Sequence, residues 1–454
     1  MRSDRVDPGG RPRESGRVNV RTSHVVVVGA GPSGAAAARV LSDAGVGVTV
    51  LEKEAEVGGR TLTVRDSGFS VDSGAIFVMG SYARTLAFLR KSGRSKDVQP
   101  WKAGTALFEN GEAYPVRFDR PLSFLRLPQL TMSDKIRFLR VAARLNLRRG
   151  PVPWDLASLA AADNGESMEA WSRRCLGDRV HEYVVRPLME PLTGADLSTI
   201  SRSFLIGLLR EPSKTRLTVP TEGLDRVTAW QLKDVEVRCN TSVTAIRPLP
   251  SGVTVETSGG ELTADAVVVA TDPFSAADLC REAFSAQAIA ALNSVQAIPL
   301  HHVAFGFARD PWPKAPHDLV VPVGVGQHSD IGVLLGERRR PGSTPPGGQV
   351  ASVYFDGPRS AQLTEQQLPD AALEVLGKVH GYAEPDFTQV YYRQYGLATA
   401  APGHYRRMLE LLAMQPARIR IAGDYLTQSG IESAYIAGER AAVDVLRSLR
   451  GVGD

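Results

Sequence analysis

The sequence predicts an α/β fold. It comprises a parallel-sheet domain assembled from discontinuous segments, an inserted helical region and a second, mixed-sheet domain. Three observations point there. Val25-Val-Val-Val28 is a continuous β-branched run that leads into Gly29-Ala-Gly31-Pro-Ser-Gly34, the pattern of a buried parallel strand entering a tight turn. Short strand-like runs return at residues 235–270 and 419–422, after a long stretch rich in helix formers at 81–217. The chain also has 454 residues, too many for one ordinary core.

Composition narrows the class before any motif is read. Hydrophobic residues make up 43% and charged residues 22%, as in an ordinary globular protein. A net charge of +4 gives no field suited to a nucleic-acid polyanion. The heavy use of Ala, Gly, Arg and Val suggests a GC-rich bacterial source. The three cysteines, Cys175, Cys239 and Cys280, are widely spaced. They form no metal-ligand or redox pair and suit a reducing, cytoplasmic compartment. Residues 1–22 are rich in Arg, Pro and Gly without an apolar stretch, and read as a disordered leader rather than a secretory signal.

The first βαβ unit carries the strongest chemistry. Gly29 permits the tight turn, Gly31 lets the backbone approach a pyrophosphate, and Gly34 lets helix and strand pack closely. Pro32 and Ser33 complete the loop. A helix over 35–44 with Gly45 as its cap, then a strand over 46–51, ends at Glu52. That acid is placed to accept hydrogen bonds from ribose hydroxyls. Lys53 follows it, and Glu56-Val-Gly-Gly59-Arg60 comes soon after. A second glycine pair lets another loop crowd the nucleotide, and Arg60 offers a fork of donors to phosphate. Arg60 also reads as a surface ion pair. Far along the chain, Gly423-Asp424 and Ser429-Gly430-Ile431-Glu432 open a final helix. Asp424 alone reads as a helix-capping turn residue.

Together these stretches resemble the flavin amine oxidase, protoporphyrinogen oxidase and phytoene desaturase superfamily. The paired elements Gly29 to Arg60 and Ala422 to Ala442 carry most of the likeness. Thr241-Ser-Val243 resembles the segment that meets the adenine through its backbone, and Ala264 to Thr271 the strand that closes the cofactor domain. The resemblance implies a resident FAD, held without a covalent link because no cysteine follows Cys280. It assigns the cofactor to Gly29, Gly31, Pro32, Ser33, Gly34, Glu52, Lys53, Gly59, Arg60, Val243, Thr271, Gly423, Asp424, Gly430, Ile431 and Glu432. Backbone N–H groups near Ile431 and Glu432 would face the flavin pyrimidine, where a helix dipole favours negative charge.

Three features favour the protoporphyrinogen-oxidase-like branch. They are the Leu176-Gly-Asp to Gly194-Ala-Asp stretch, Ala401-Pro-Gly-His404, and the spacing from Gly430 to Gly438. Amine oxidases of the superfamily usually place a Lys on a strand ten residues before a Trp. Here that position, counted from Trp312, is His302. Their paired aromatics are also missing, with Gly396 and Ile431 near the matching places. His302 reads either as a substrate-side acid or base or as a packed strand histidine. Tyr392 and Tyr395 lie in an aromatic cluster that suits either a substrate pocket or the core.

The domain reading gives residues 23–80, 218–275 and 405–450 to a Rossmann-like FAD-binding domain. Residues 81–217 form a helical insert facing substrate or membrane, and 276–404 a mixed-sheet substrate-binding domain. The basic segment 125–149 is either a solvated face or a peripheral contact with the inner membrane. The expected function is FAD-dependent removal of hydride from a small apolar or nitrogen-containing substrate, with O2 as acceptor. The substrate is a porphyrinogen or a natural-product intermediate. An atypical amine oxidase, a redox-neutral isomerase or cyclase, a nicotinamide dehydrogenase and a non-catalytic flavin scaffold remain as alternatives. No motif points to a metal.

Overall fold

A computed structural model describes residues 23–117, 120–147, 149–210, 216–323, 331–340, 342–355 and 363–450. The leader expected over 1–22 lies outside the described residues, as does Arg148 of the basic segment.

A five-stranded parallel sheet forms the base. Its order is Glu236–Arg238, Gly47–Leu51, His24–Val28, Ala266–Val269 and Ile419–Ile421. Its members thus come from the beginning, middle and end of the chain. Val25 to Val27 and Val267 to Val269 have no solvent exposure, which is why they read as unbroken apolar runs rather than alternating ones. The helix after the first strand spans Pro32–Asp43 and starts three residues earlier than the composition suggests. Proline's fixed φ and missing N–H suit the first helical position, so the turn ends at Gly31. The final helix, Ile431–Arg450, packs on this one. A Cβ at Gly438 would lie 2.1 Å from the Ser33 carbonyl oxygen, so the two helices touch at a point that only glycine allows.

The second sheet has seven strands, in the order Phe387–Thr399, Gln296–Phe307, Gln349–Phe355, Ile331–Gly336, Leu319–Pro322, Thr105–Glu109 and Glu112–Val116. It also draws on the helical insert expected over 81–217, since residues 105–116 form a hairpin on this sheet. Asn110 and Gly111 at its tip have φ of +52° and +82°, the two left-handed positions that a tight hairpin turn demands. The rest of the insert does supply helices, including Met132–Leu147, Met168–Leu176, Arg186–Thr193 and Arg202–Leu209. They pack around Trp154, Trp171 and Phe204.

Candidate active site

A cavity of about 750 Å3 runs between the parallel sheet, the helical insert and the mixed sheet. One end is the glycine turn. Gly29 has φ of +98° and donates its N–H to the Leu51 carbonyl at 2.8 Å. Any side chain there would meet the Ala270 carbonyl oxygen at 2.7 Å. Helix Pro32–Asp43 begins at Gly31 with no side-chain cap, so its first N–H groups have no intrahelical acceptor. Gly31, Pro32 and Ser33 all line the cavity. This is an anion cradle: free donors, a helix dipole, and no Cβ in the way. Gly34 lies behind it, because a Cβ there would sit 1.9 Å from the Gly29 oxygen. It sets helix against strand and does not line the cavity.

Glu52 is buried at the end of the second strand and accepts from the N–H of Ala30 at 2.7 Å and of Glu54 at 3.0 Å. It holds the turn in shape while keeping lone pairs toward the cavity it lines. Lys53, Val243 and Thr271 line the same end. The second glycine pair crosses over the first, and a Cβ on Gly59 would lie 3.3 Å from the Gly31 Cα. Arg60 then reaches across the molecule, donating to the Gly396 carbonyl at 3.0 Å and to Asp424 at 2.6 Å. Burial works against its charge, but the Asp424 carboxylate prevails and raises its pKa above the ordinary value. The other Asp424 oxygen accepts the Gly430 N–H at 3.3 Å. Gly423, Gly430 and Ile431 complete this wall.

The Glu432 side chain turns to a neighbouring helix. Its carboxylate accepts from the N–H groups of Arg84 and Thr85, at 2.6 and 3.0 Å, and from the Thr85 hydroxyl at 2.8 Å. It thus caps helix Ala83–Lys91 and does not line the cavity. Burial raises its pKa, against the pull of those donors.

His302 and Tyr392 also lie outside the cavity, which corrects both as substrate-facing residues. His302 is fully buried, with its ring stacked against Tyr354 at 4.1 Å and Tyr391 at 5.1 Å. Neither ring nitrogen has a hydrogen-bond partner among the described residues. Burial pulls its pKa down to about 3, so it is a neutral packing group. Tyr392 points to the other face of its strand, half exposed, and stacks on His301. Tyr395 does line the cavity and leans on Phe274.

The end of the cavity away from the glycine turn is largely apolar. Ile76, Phe77, Leu192, Leu300, Val333 and Leu397 line it. Two polar groups missed at the sequence level stand among them. The Tyr354 hydroxyl is buried without a hydrogen-bond partner among the described residues. Glu190 sits on helix Arg186–Thr193, its carboxylate held by Arg186 Nε at 3.0–3.1 Å. Burial raises its pKa, and Arg186 opposes the shift. Behind it run Glu182, Arg173, Glu169 and Asp178. Of these acids only Glu190 lines the cavity. Directly before the helix, residues His181–Val185 form a π-helical turn, a local widening common at functional sites. Glu190 had one sequence signal, its position four residues after Arg186 on a single helix face. Tyr354 had none, since only strand pairing brings it beside His302.

Pro402-Gly403-His404 has a definable role. Gly403 takes φ of +82° to start helix His404–Ala413, and the His404 ring bonds the Tyr425 carbonyl at 2.7 Å. The segment pins that helix to the Gly423-Asp424 turn.

The cavity residues fit a flavin dinucleotide: a side-chain-free cradle, an uncapped helix start, a buried acid for ribose and a placed guanidinium. Comparison with known proteins agrees. The family model for flavin containing amine oxidoreductase matches residues 32–446. Protoporphyrinogen oxidase of Nicotiana tabacum is 29% identical over 180 residues, which are 39% of this chain and 34% of that one. Amine oxidase B of Sus scrofa is 37% identical over 116 residues, 23% of this chain and 22% of that one. The matches thus span about a third or less of these relatives. The solved cyclohexylamine oxidase from Brevibacterium oxydans superposes with a TM-score of 0.74 at 20% identity, covering 95% of this chain and all of that one. The family match over nearly the whole chain, on a fold whose cavity suits the cofactor, shows that this chain belongs to the flavin containing amine oxidoreductase family.

Proposed function

We propose that the enzyme removes hydride from a C–H bond of a small, largely apolar or nitrogen-containing substrate, with O2 as the electron acceptor. The observation that carries this reading is one continuous cavity that joins the glycine cradle to an apolar recess under helix Arg186–Thr193. Bound FAD would supply the hydride acceptor at N5 of its ring system. Gly31, Ser33, Glu52, Arg60 and Asp424 would hold the cofactor. The chain's own contribution in the recess is exclusion of water and orientation of substrate, with Tyr354 and Glu190 as the polar anchors. No cysteine lines the cavity, which supports a non-covalent cofactor. Acid precipitation should then leave the flavin in the supernatant.

A porphyrinogen-type or natural-product tailoring oxidase is the reading we favour, and the likeness to tobacco protoporphyrinogen oxidase supports it. An atypical amine oxidase is the second reading, favoured by the Glu190 carboxylate in the recess. Against the usual amine-oxidase arrangement, Gly396 has no room for an aromatic ring, since even a Cβ would lie 2.3 Å from Leu300 Cβ. Anaerobic loss of the flavin's visible absorbance tests both. Rapid bleaching by protoporphyrinogen supports the first, and bleaching by amines alone supports the second. If neither class bleaches it, the porphyrinogen and amine-oxidase readings both fall, and only the tailoring-oxidase reading stands.

Helix Met132–Leu147 bears on the membrane reading. Met132, Ile136, Leu139 and Leu147 are 69%, 41%, 47% and 86% exposed, and their spacing places them on one face. Lys135, Arg140 and Arg144 flank them. This pattern supports a peripheral contact with an anionic bilayer surface. No described helix is long and apolar enough to cross a membrane. Sedimentation with phosphatidylglycerol vesicles, lost in Ile136→Glu/Leu139→Glu, is the check.

A further inference from the structure

We infer that a second cleft, apart from the flavin cavity, binds a small organic polyanion whose charge sits on phosphate or carboxylate oxygens. The cleft measures about 1200 Å3 and lies among hairpin Thr105–Val116, the turn Pro121–Arg126 and strand Leu217–Pro220. It shares no lining residue with the first cavity. Lys102, Arg120, Arg126 and Arg216 line it, and none has a carboxylate partner among the described residues. Arg339 also reaches it but is held by Asp318 at 2.5 Å, an acid behind the wall that also accepts the Gly104 N–H at 2.9 Å. No acidic side chain lines the cleft among the described residues.

Elsewhere several arginines are neutralised by acids. Arg60, Arg65, Arg173, Arg186 and Arg340 each meet at least one carboxylate. Cations gathered in a concavity repel one another and focus a positive potential there. An oxyanion with several charges relieves that repulsion and meets the guanidinium forks in paired hydrogen bonds. Trp101 and Leu122 add apolar wall, suited to a ligand with a carbon body rather than a bare ion. The same chemistry is offered by a soluble phosphate ester and by a lipid headgroup.

The test is calorimetric titration of the FAD-loaded enzyme with inorganic tripolyphosphate and, separately, citrate, at physiological ionic strength. Binding to phosphatidylglycerol vesicles is measured in parallel. We expect saturable binding of one polyanion per chain, weakened about tenfold or more in Arg126→Ala/Arg216→Ala. The flavin spectrum should not change. Both residues are exposed, so the double variant keeps the fold, checked by its melting temperature. Vesicle binding that tripolyphosphate displaces, and that the double variant loses, would assign the cleft to a headgroup. Polyanion binding without vesicle binding would assign it to a soluble ligand. No saturable binding, or an affinity that the double variant leaves unchanged, would overturn the inference.

Discussion

Arg60 and Asp424 meet at 2.6 Å although 364 positions separate them in sequence. The pair clamps the cofactor loop near the start of the chain to the turn before its last helix. Removing Asp424 leaves the half-buried Arg60 without its carboxylate, which costs on the order of 1 kcal/mol after screening by solvent. Asp424→Ala should therefore lower both the melting temperature and the flavin content after gel filtration. Full flavin occupancy in that variant would deny the pair its place in the site.

Glu52→Gln keeps the shape but replaces one acceptor oxygen by a donor facing the N–H of Ala30 or Glu54. Weaker FAD retention is expected, with a loss on the order of 1–3 kcal/mol. Fluorescence of released flavin during dilution measures it. An unchanged dissociation constant would remove Glu52 from cofactor binding.

His302→Phe should be harmless or stabilising. The ring remains between Tyr354 and Tyr391, and two buried nitrogens without partners disappear. A gain on the order of 1 kcal/mol in denaturant unfolding is expected, with the rate of flavin reduction unchanged. A large fall in that rate would return His302 to the catalytic reading.

The acid sensitivity of the fold follows from two histidines. Burial lowers the pKa of His302 to about 3 and that of His404 to about 4, from 6.5. Between those values the unfolded chain binds protons that the folded chain does not. Stability is therefore full above pH 6.5 and falls as pH drops toward 4 and then 3. Each group contributes up to about a factor of ten in the folding constant per pH unit within its window. His302→Phe should flatten this slope, and unfolding curves at several pH values will show whether it does.

Glu190→Gln tests the recess. If the acid recognises a nitrogen-bearing substrate, KM should rise about tenfold or more with a smaller change in kcat. Equal loss in both parameters for charged and neutral substrates would make it a structural residue.

The sequence made the cofactor end legible and left the substrate end dark, for a physical reason. Gly29, Gly31, Glu52 and Arg60 are bound by local geometry: a turn, a close approach, a strand end. Such demands leave fixed spacings. Tyr354, Glu190 and the placement of His302 depend on which strands pair and on which face a residue falls. His302 was singled out by its distance from Trp312, but its ring lies under Tyr354, and no spacing reports that. Asn110-Gly111 is a readable hairpin signal inside a stretch rich in helix formers; composition over a long window hides it. Glu432 shows the opposite hazard, since its position at the final helix start fitted the cofactor while its side chain serves another helix.

Helix Ile431–Arg450 lies against helix Pro32–Asp43, and strand Ile419–Ile421 closes the edge of the parallel sheet. The nucleotide cradle therefore gains this wall only after almost four hundred further residues have been made. A premature stop after residue 418 would not trim the enzyme. It would leave the Ala266–Val269 strand with a bare edge, and an apoprotein that quality-control proteases can recognise.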